Sequence, residues 1–228
     1  MNYEEILQKL QSLANPENVK GMAHFGISPK NNLGISVPRL RALAKEIGRN
    51  HTLALQLWNS GIHDARLLAV FIDNPKEVTT EQMEQWATDF DSWDICDQAC
   101  TSLFDKTAYA WEKVYEWAQR DEEFVKRGAF SLIAGLAVHD KTAKDAVFIK
   151  VLSVIKQHSV DERNYVKKAV NWALRNIGKR NRILNKKAVI VAQELTQEPS
   201  RSARWIGRDA VRELTNEKIQ KRVEKKKR

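Results

Sequence analysis

The chain has 228 residues, long enough to bury a sizeable core as one large domain or two small ones. Hydrophobic residues make up 43% and charged residues 29%, and no stretch approaches the roughly 18 uninterrupted apolar residues that a membrane helix requires, so a globular chain without membrane spans is expected. The formal charge of +9 is unevenly placed: from Asp161 to Arg228 there are 20 Lys and Arg against 8 Asp and Glu, while residues 1–160 carry 18 against 21.

The first segment, "MNYEEILQKLQSL", is acidic and amphipathic. It lacks the basic start, apolar run and small-residue cleavage site of a secretory signal, and a cytoplasmic protein is expected. Further along, apolar residues recur at helical spacing, glycine and proline sit at punctuation points, and no period-two strand stands out. Helix starts are read at Ser36 before "VPRLRALAKEI", at Thr79 or Thr80 before "EQMEQWATDF", and at Asp91 before "SWDICDQACTS". Others are read at Asp121 before "EEFVKRGAFSLIAGLAV", at Asp161 before "ERNYVKKAVNWALRNIG" with Gly178 as the stop, and at Ser200 after Pro199. Cys96 and Cys100 are one helical turn apart, and no His/Cys set has zinc-ligand spacing. Packed thiols are expected, with neither metal nor cofactor.

The helices repeat. "VKRGAFSLIAGL" begins at Val125, "VKKAVNWALRNI" at Val166 and "GRDAVREL" at Gly207, two successive offsets of 41 residues, and "ARLLAVFI" from Ala65 is a looser copy. A period near 40 built from helix pairs indicates a HEAT- or armadillo-like α-solenoid, because no single pair can bury its own apolar face. The expected fold is an all-α, α-α superhelix of about six helix pairs, one domain over residues 1–228 with a basic tail at about 218–228. Equivalence of the three copies would line a concave wall with Lys126, Arg127, Lys167, Lys168 and Arg208. A clustered basic surface points to a polyanion, nucleic acid first, because Lys and Arg displace counterions from phosphates.

Against this basic background "DSWDICDQACTSLF", from Asp91, carries three carboxylates around one tryptophan. On a helix Trp93 and Asp97 share a face, while Asp94 points away and is expected to act as a helix-start charge or to find a local partner. From the residues alone, Asp97 is either salt-bridged to Arg127 or a neighbouring basic residue, or poised to stabilise a cation during a reaction. Trp58, Trp86, Trp111, Trp117 and Trp205 fit helical packing positions, with Trp205 the least secure because Arg204 and Arg208 lie beside it. The five histidines are scattered and suggest no site.

The order of "GISVPRLRALAKEI" near Gly34, "DSWDICD", "FVKRGAF" and "KKAVNWALRNIGK" from Lys167 resembles the DNA alkylation repair glycosylases of the AlkD type, built from HEAT-like repeats. In that family an aspartate and two tryptophans form an aromatic cleft with an arginine close by. The resemblance implies these roles for Asp97, Trp93, Trp172 and Arg127, with Ser92 standing where many members carry an aromatic. It further implies hydrolysis of the N-glycosidic bond of cationic alkylated purines, N3-methyladenine and N7-methylguanine, in double-stranded DNA. Lys126, Lys167, Lys168, Arg175, Lys179, Arg180, Arg204 and Arg208 are the expected DNA contacts, and a monomer is expected. Two other functions fit the same residues: a catalytically inactive HEAT-repeat protein that binds duplex or branched DNA, and a solenoid that binds an acidic protein.

Overall fold

The computed structural model describes residues 1–225, and they divide into two compact units, Met1–Tyr109 and a second that begins at Ala110. Every regular element is helical among the described residues. The first unit contains α1 (Tyr3–Ser12), α2 (Pro16–His24), α3 (Val37–Ile47), α4 (His51–Asn59), α5 (His63–Ile72), α6 (Thr80–Thr88) and α7 (Trp93–Ser102), followed by a 3-10 turn at Phe104–Lys106. The second contains α8 (Ala110–Ala118), α9 (Glu123–His139), α10 (Asp145–His158), α11 (Asn164–Gly178), α12 (Arg182–Leu195), α13 (Arg201–Leu214) and α14 (Glu217–Lys225).

In the first unit α3, α5 and α7 pack in succession, and α4 lies against α5. Two tryptophans hold its core: Trp58 and Trp86 are fully buried and stack with centroids 3.9 Å apart and planes 3° apart. The one polar atom of the Trp58 ring stays satisfied, because its Nε1–H donates to Asp89 Oδ2 at 2.8 Å. The preceding loop is pinned by Asp64, a fully buried carboxylate whose two oxygens accept from the backbone N–H groups of Leu33 and Ile35 at 2.6 and 2.7 Å. Gly34 lies between them at φ +72°, and a side chain there would also run into the Asn15 carbonyl.

In the second unit α9, α11 and α13 form one row, with α8, α10 and α12 packed behind them. The three sequence copies fall on α9, α11 and α13, so the 41-residue period is a structural repeat here. In the first unit the hydrogen bonds that link successive layers, Leu33–Asp64, Trp58–Asp89 and His63–Asp94, each span 31 residues. The repeat is shorter because α3 to α7 have 9 to 11 residues, against the 14 to 17 of α9 to α13. The third copy replaces the repeated valine by Gly207, and the packing explains it. A Cβ there would sit 2.5 Å from the Ala192 carbonyl oxygen, so the closeness of α12 and α13 requires the absence of a side chain.

Several helix starts fall one or two residues later than the sequence suggests. Helix α7 begins at Trp93 with Ser92 as N-cap, and Asp91 is exposed. The capping oxygen comes instead from within the first turn, where Asp94 Oδ1 accepts from Ile95 N. Glu122 and Arg163, not Asp121 and Asp161, precede α9 and α11; the Asp161 side chain instead grips the Arg163 backbone N–H and guanidinium. The expected basic tail is helical as far as Lys225, with Val223 buried, and residues 226–228 lie outside the described residues.

Candidate functional site

In the first unit Trp93 and Asp97 lie one turn apart on α7, both half-buried, while Ile95, Cys96, Ala99 and Cys100 on the opposite side are buried. Trp93 does not belong to the core. Its Nε1–H donates to the carbonyl of Phe25 at 3.1 Å, so the end of α2 fixes the indole, and Phe25 itself is 70% exposed. Nothing in the α2 pattern singled out Phe25. Cys96 and Cys100 are the packed thiols anticipated, and burial pushes the Cys100 thiol well above its ordinary range, helped by Cys96 and by the Asp97 charge.

Asp94 belongs to a different structure. Its Oδ2 lies 2.9 Å from His63 Nε2 at the start of α5, and the two side chains are only 13% and 5% exposed. Burial pushes the His63 pKa down, but the hydrogen bond and charge of Asp94, with Asp64 and Asp91 nearby, more than reverse this and leave it raised. For Asp94, burial pushes up and the His63 hydrogen bond and charge prevail, so its carboxyl titrates below the usual range. The pair holds α7 against α5 and so sets the position from which Trp93 and Asp97 project.

In the second unit Arg127 sits on α9 and is 6% exposed, with Nη1 donating to the Tyr165 carbonyl at 2.6 Å. Trp172 is on α11 and half-buried, between the buried Asn171 and Ala173. The eight expected DNA contacts divide by environment. Lys168 and Arg208 are exposed, and Lys167 lies with Nζ 5.6 Å from the Trp205 ring centroid. Lys126 is largely covered, 3.9 Å from Asp161. Arg175 and Lys179 both reach Glu213, at 2.5 and 2.9 Å, which is how one carboxylate ties α11 to α13. Burial pushes the Glu213 carboxyl up, but Lys179 and Arg175 outweigh it and hold the group below its ordinary value. Arg180 donates to the Ala137 carbonyl in the last turn of α9 and to the Ala143 carbonyl in the loop before α10, and Arg204 to those of Glu198 and Pro199 in the loop before α13.

The described residues contain no group of three or more His, Cys, Asp or Glu placed to hold a metal ion, and no helix among them is long and apolar enough to cross a membrane. The first unit therefore presents an aromatic-acidic face on α7, and the second presents cations and a half-buried tryptophan on α9, α11 and α13.

Layered helix pairs with an aromatic-acidic face and basic helices define a HEAT-like repeat protein suited to nucleic acid. The sequence matches the DNA alkylation repair enzyme family over residues 6–214, and the chain belongs to that family. Among solved structures it is similar to a protein described as one of "a new family of proteins related to the HEAT-like repeat DNA glycosylases with affinity for branched DNA structures". That likeness has a TM-score of 0.79 at 19% identity and covers 94% of this chain and 96% of the other. Two curated relatives, uncharacterised proteins of Listeria innocua and Listeria monocytogenes, are each 26% identical over 130 residues, 55% of this chain. The match spans 58% of each relative's length.

Proposed function

We propose that the protein is a DNA glycosylase that hydrolyses the N-glycosidic bond of cationic alkylated purines, N3-methyladenine and N7-methylguanine, in duplex DNA. The observation that carries this is the pairing of Trp93 and Asp97 on one half-buried face of α7, with Asp94 already committed to His63. The same chain also belongs to a DNA alkylation repair family.

A purine alkylated at N3 or N7 carries a positive charge, so it leaves without prior protonation. When the C1′–N bond breaks, its electron pair goes to the base and neutralises it, and positive charge develops on the sugar. The ionised Asp97 carboxylate stabilises that charge and orients a water molecule, whose oxygen bonds to C1′ as its proton is released. In the first unit Trp93 offers its ring face to the cationic sugar or base, and in the second unit Trp172 is a separate candidate for such a contact, either one contributing about 1 to 2 kcal/mol when desolvated. Lys167, Lys168 and Arg208 supply the salt-dependent grip on the backbone.

The test is release of N7-methylguanine from methylated duplex DNA, followed by chromatography of the free base. Wild-type protein should release it, and Asp97→Asn should abolish release while DNA binding persists. Methylated DNA left intact by wild-type protein after long incubation refutes the enzyme. A second function, DNA binding without excision, is favoured by the basic face of α13 and by the branched-DNA affinity described for the structural relative. It predicts salt-sensitive DNA binding with no base release from any methylated substrate, and Asp97→Asn would then change stability more than any DNA outcome.

A further inference from the structure

One face of α13, which contributes Arg208 to the grip on the backbone, takes no part in the bond-breaking step. Trp205 is 41% exposed, whereas Trp58, Trp86 and Trp117 are at most 1% exposed. The opposite side of the helix supplies the packing through Ala203, Ile206, Gly207, Ala210 and Leu214, so the core does not need the Trp205 ring. Helical spacing sets Arg201, Trp205, Arg208 and Arg212 along one stripe, with Arg204 beside it. With Asp209 these residues line a shallow depression of about 440 Å³.

The members of the stripe are held differently. Arg204 is anchored by two backbone carbonyls, and Arg212 contacts Asp209 while its side chain stays 81% exposed. From α11, Lys167 Nζ approaches the Trp205 ring to 5.6 Å. From Arg201 to Arg212 the stripe runs about 16 Å at the α-helical rise, or about five nucleotide steps of a stacked strand.

Arginines alone would suit any phosphate backbone. An exposed indole adds nothing to phosphate neutralisation, and in a duplex the bases present only their edges. A base offers its π-face to a side chain only when it is unpaired. We propose that this face of α13 is a stacking platform for an unpaired nucleotide in a single-stranded segment of DNA, with the base on Trp205 and the flanking phosphates on the arginines. The proposal rests on DNA as the partner but not on base release. It makes DNA with a single-stranded stretch beside the duplex the preferred substrate class.

The experiment measures binding of the full chain, by fluorescence anisotropy at fixed salt, to three labelled probes. These are a blunt duplex, the same duplex with a short single-stranded tail, and that duplex with an abasic tail of equal length. Wild-type protein should bind the base-bearing tail most tightly. Trp205→Ala should weaken that probe about tenfold, with the blunt and abasic probes changed by less than about twofold. Trp205→Phe should keep most of the preference, and Arg208→Ala should weaken every probe and reduce the salt dependence by about one counterion. Equal loss on base-bearing and abasic tails, no loss with Trp205→Ala, or no tail preference in wild type would overturn the proposal. Release of N7-methylguanine by a protein indifferent to tails would sink this inference alone. Failure to bind any DNA probe, with capture of an acidic polypeptide instead, would sink it together with the DNA function.

Discussion

The same substitution at the two carboxylates of α7 should be read in different assays, stability for Asp94 and base release for Asp97. In Asp94→Asn the amide oxygen can still meet His63, so the contact survives as a neutral hydrogen bond and the ionic part is lost. Charge-assisted hydrogen bonds contribute about 1.5 to 3 kcal/mol and neutral ones about 0.5 to 1.5, so the expected loss is about 1 to 2 kcal/mol. With both partners at most 13% exposed, little solvent screening reduces it. For a chain of this size that corresponds to a melting shift of about 2 to 8 °C, read by circular dichroism at pH 6. The pH dependence has a definite sign. The raised His63 pKa contributes stability that is complete below its ordinary value of 6.5 and is lost as pH rises through the folded value. The lowered Asp94 pKa contributes stability present above the ordinary value of 3.8 and lost as pH falls through the folded value. The Asp94→Asn deficit should therefore be largest between about pH 4.5 and 6.5 and shrink towards pH 9. Asp97→Asn should remove base release. A deficit that stays constant from pH 6 to 9, or an Asp97→Asn protein that still releases base, would refute this division of roles.

Gly207→Ala should cost about 1 to 3 kcal/mol, because its Cβ meets a backbone carbonyl at 2.5 Å that no rotamer can move, and it should appear as a lower denaturant midpoint. Asp64→Asn leaves one of two buried backbone donors facing an amide NH2 group, at an expected cost of about 2 kcal/mol by urea titration; an unchanged midpoint would show that the loop before α3 finds another acceptor. Glu213→Gln removes one negative charge beside Arg175 and Lys179, with Arg175 still 3.6 Å from Asp209, so duplex affinity should rise severalfold at low salt while stability falls by about 1 kcal/mol. An affinity independent of Glu213 would mean that these two cations never reach phosphate.

Much of the architecture could be read from the sequence because helical periodicity, caps and a 41-residue repeat all act locally. The first unit's repeat escaped the same search because its shorter helices reset the spacing to about 30 residues. Cap positions shift where another partner competes: Asp94 serves both the start of its own helix and His63, 31 residues away, and Asp161 is drawn to Arg163, two residues on. Trp93 and Asp97 could be singled out because i,i+4 spacing fixes a shared face. Which arginines stay available to a ligand could not, since Arg180 is taken up by carbonyls 43 and 37 residues away that only the fold brings near, and Arg204 by the turn of the loop just before its helix. Phe25 carried no signal, because what distinguishes it is the indole that comes to its carbonyl from 68 residues away.

The acidic residues near helix starts also fix which layer can follow which. Glu123 on α9 accepts from Tyr165 N in the first turn of α11, and Glu162, just before α11, accepts from Ser202 N in the first turn of α13. Each of those amides is one that its own helix cannot satisfy, so α9 completes α11 and the residue before α11 completes α13. Apolar contact alone would let stacked helices slide by a turn with little change in buried area. These carboxylates act as indexing pins: a layer displaced along its neighbour leaves an acid and an amide orphaned at once. The row of α9, α11 and α13 consequently has one register.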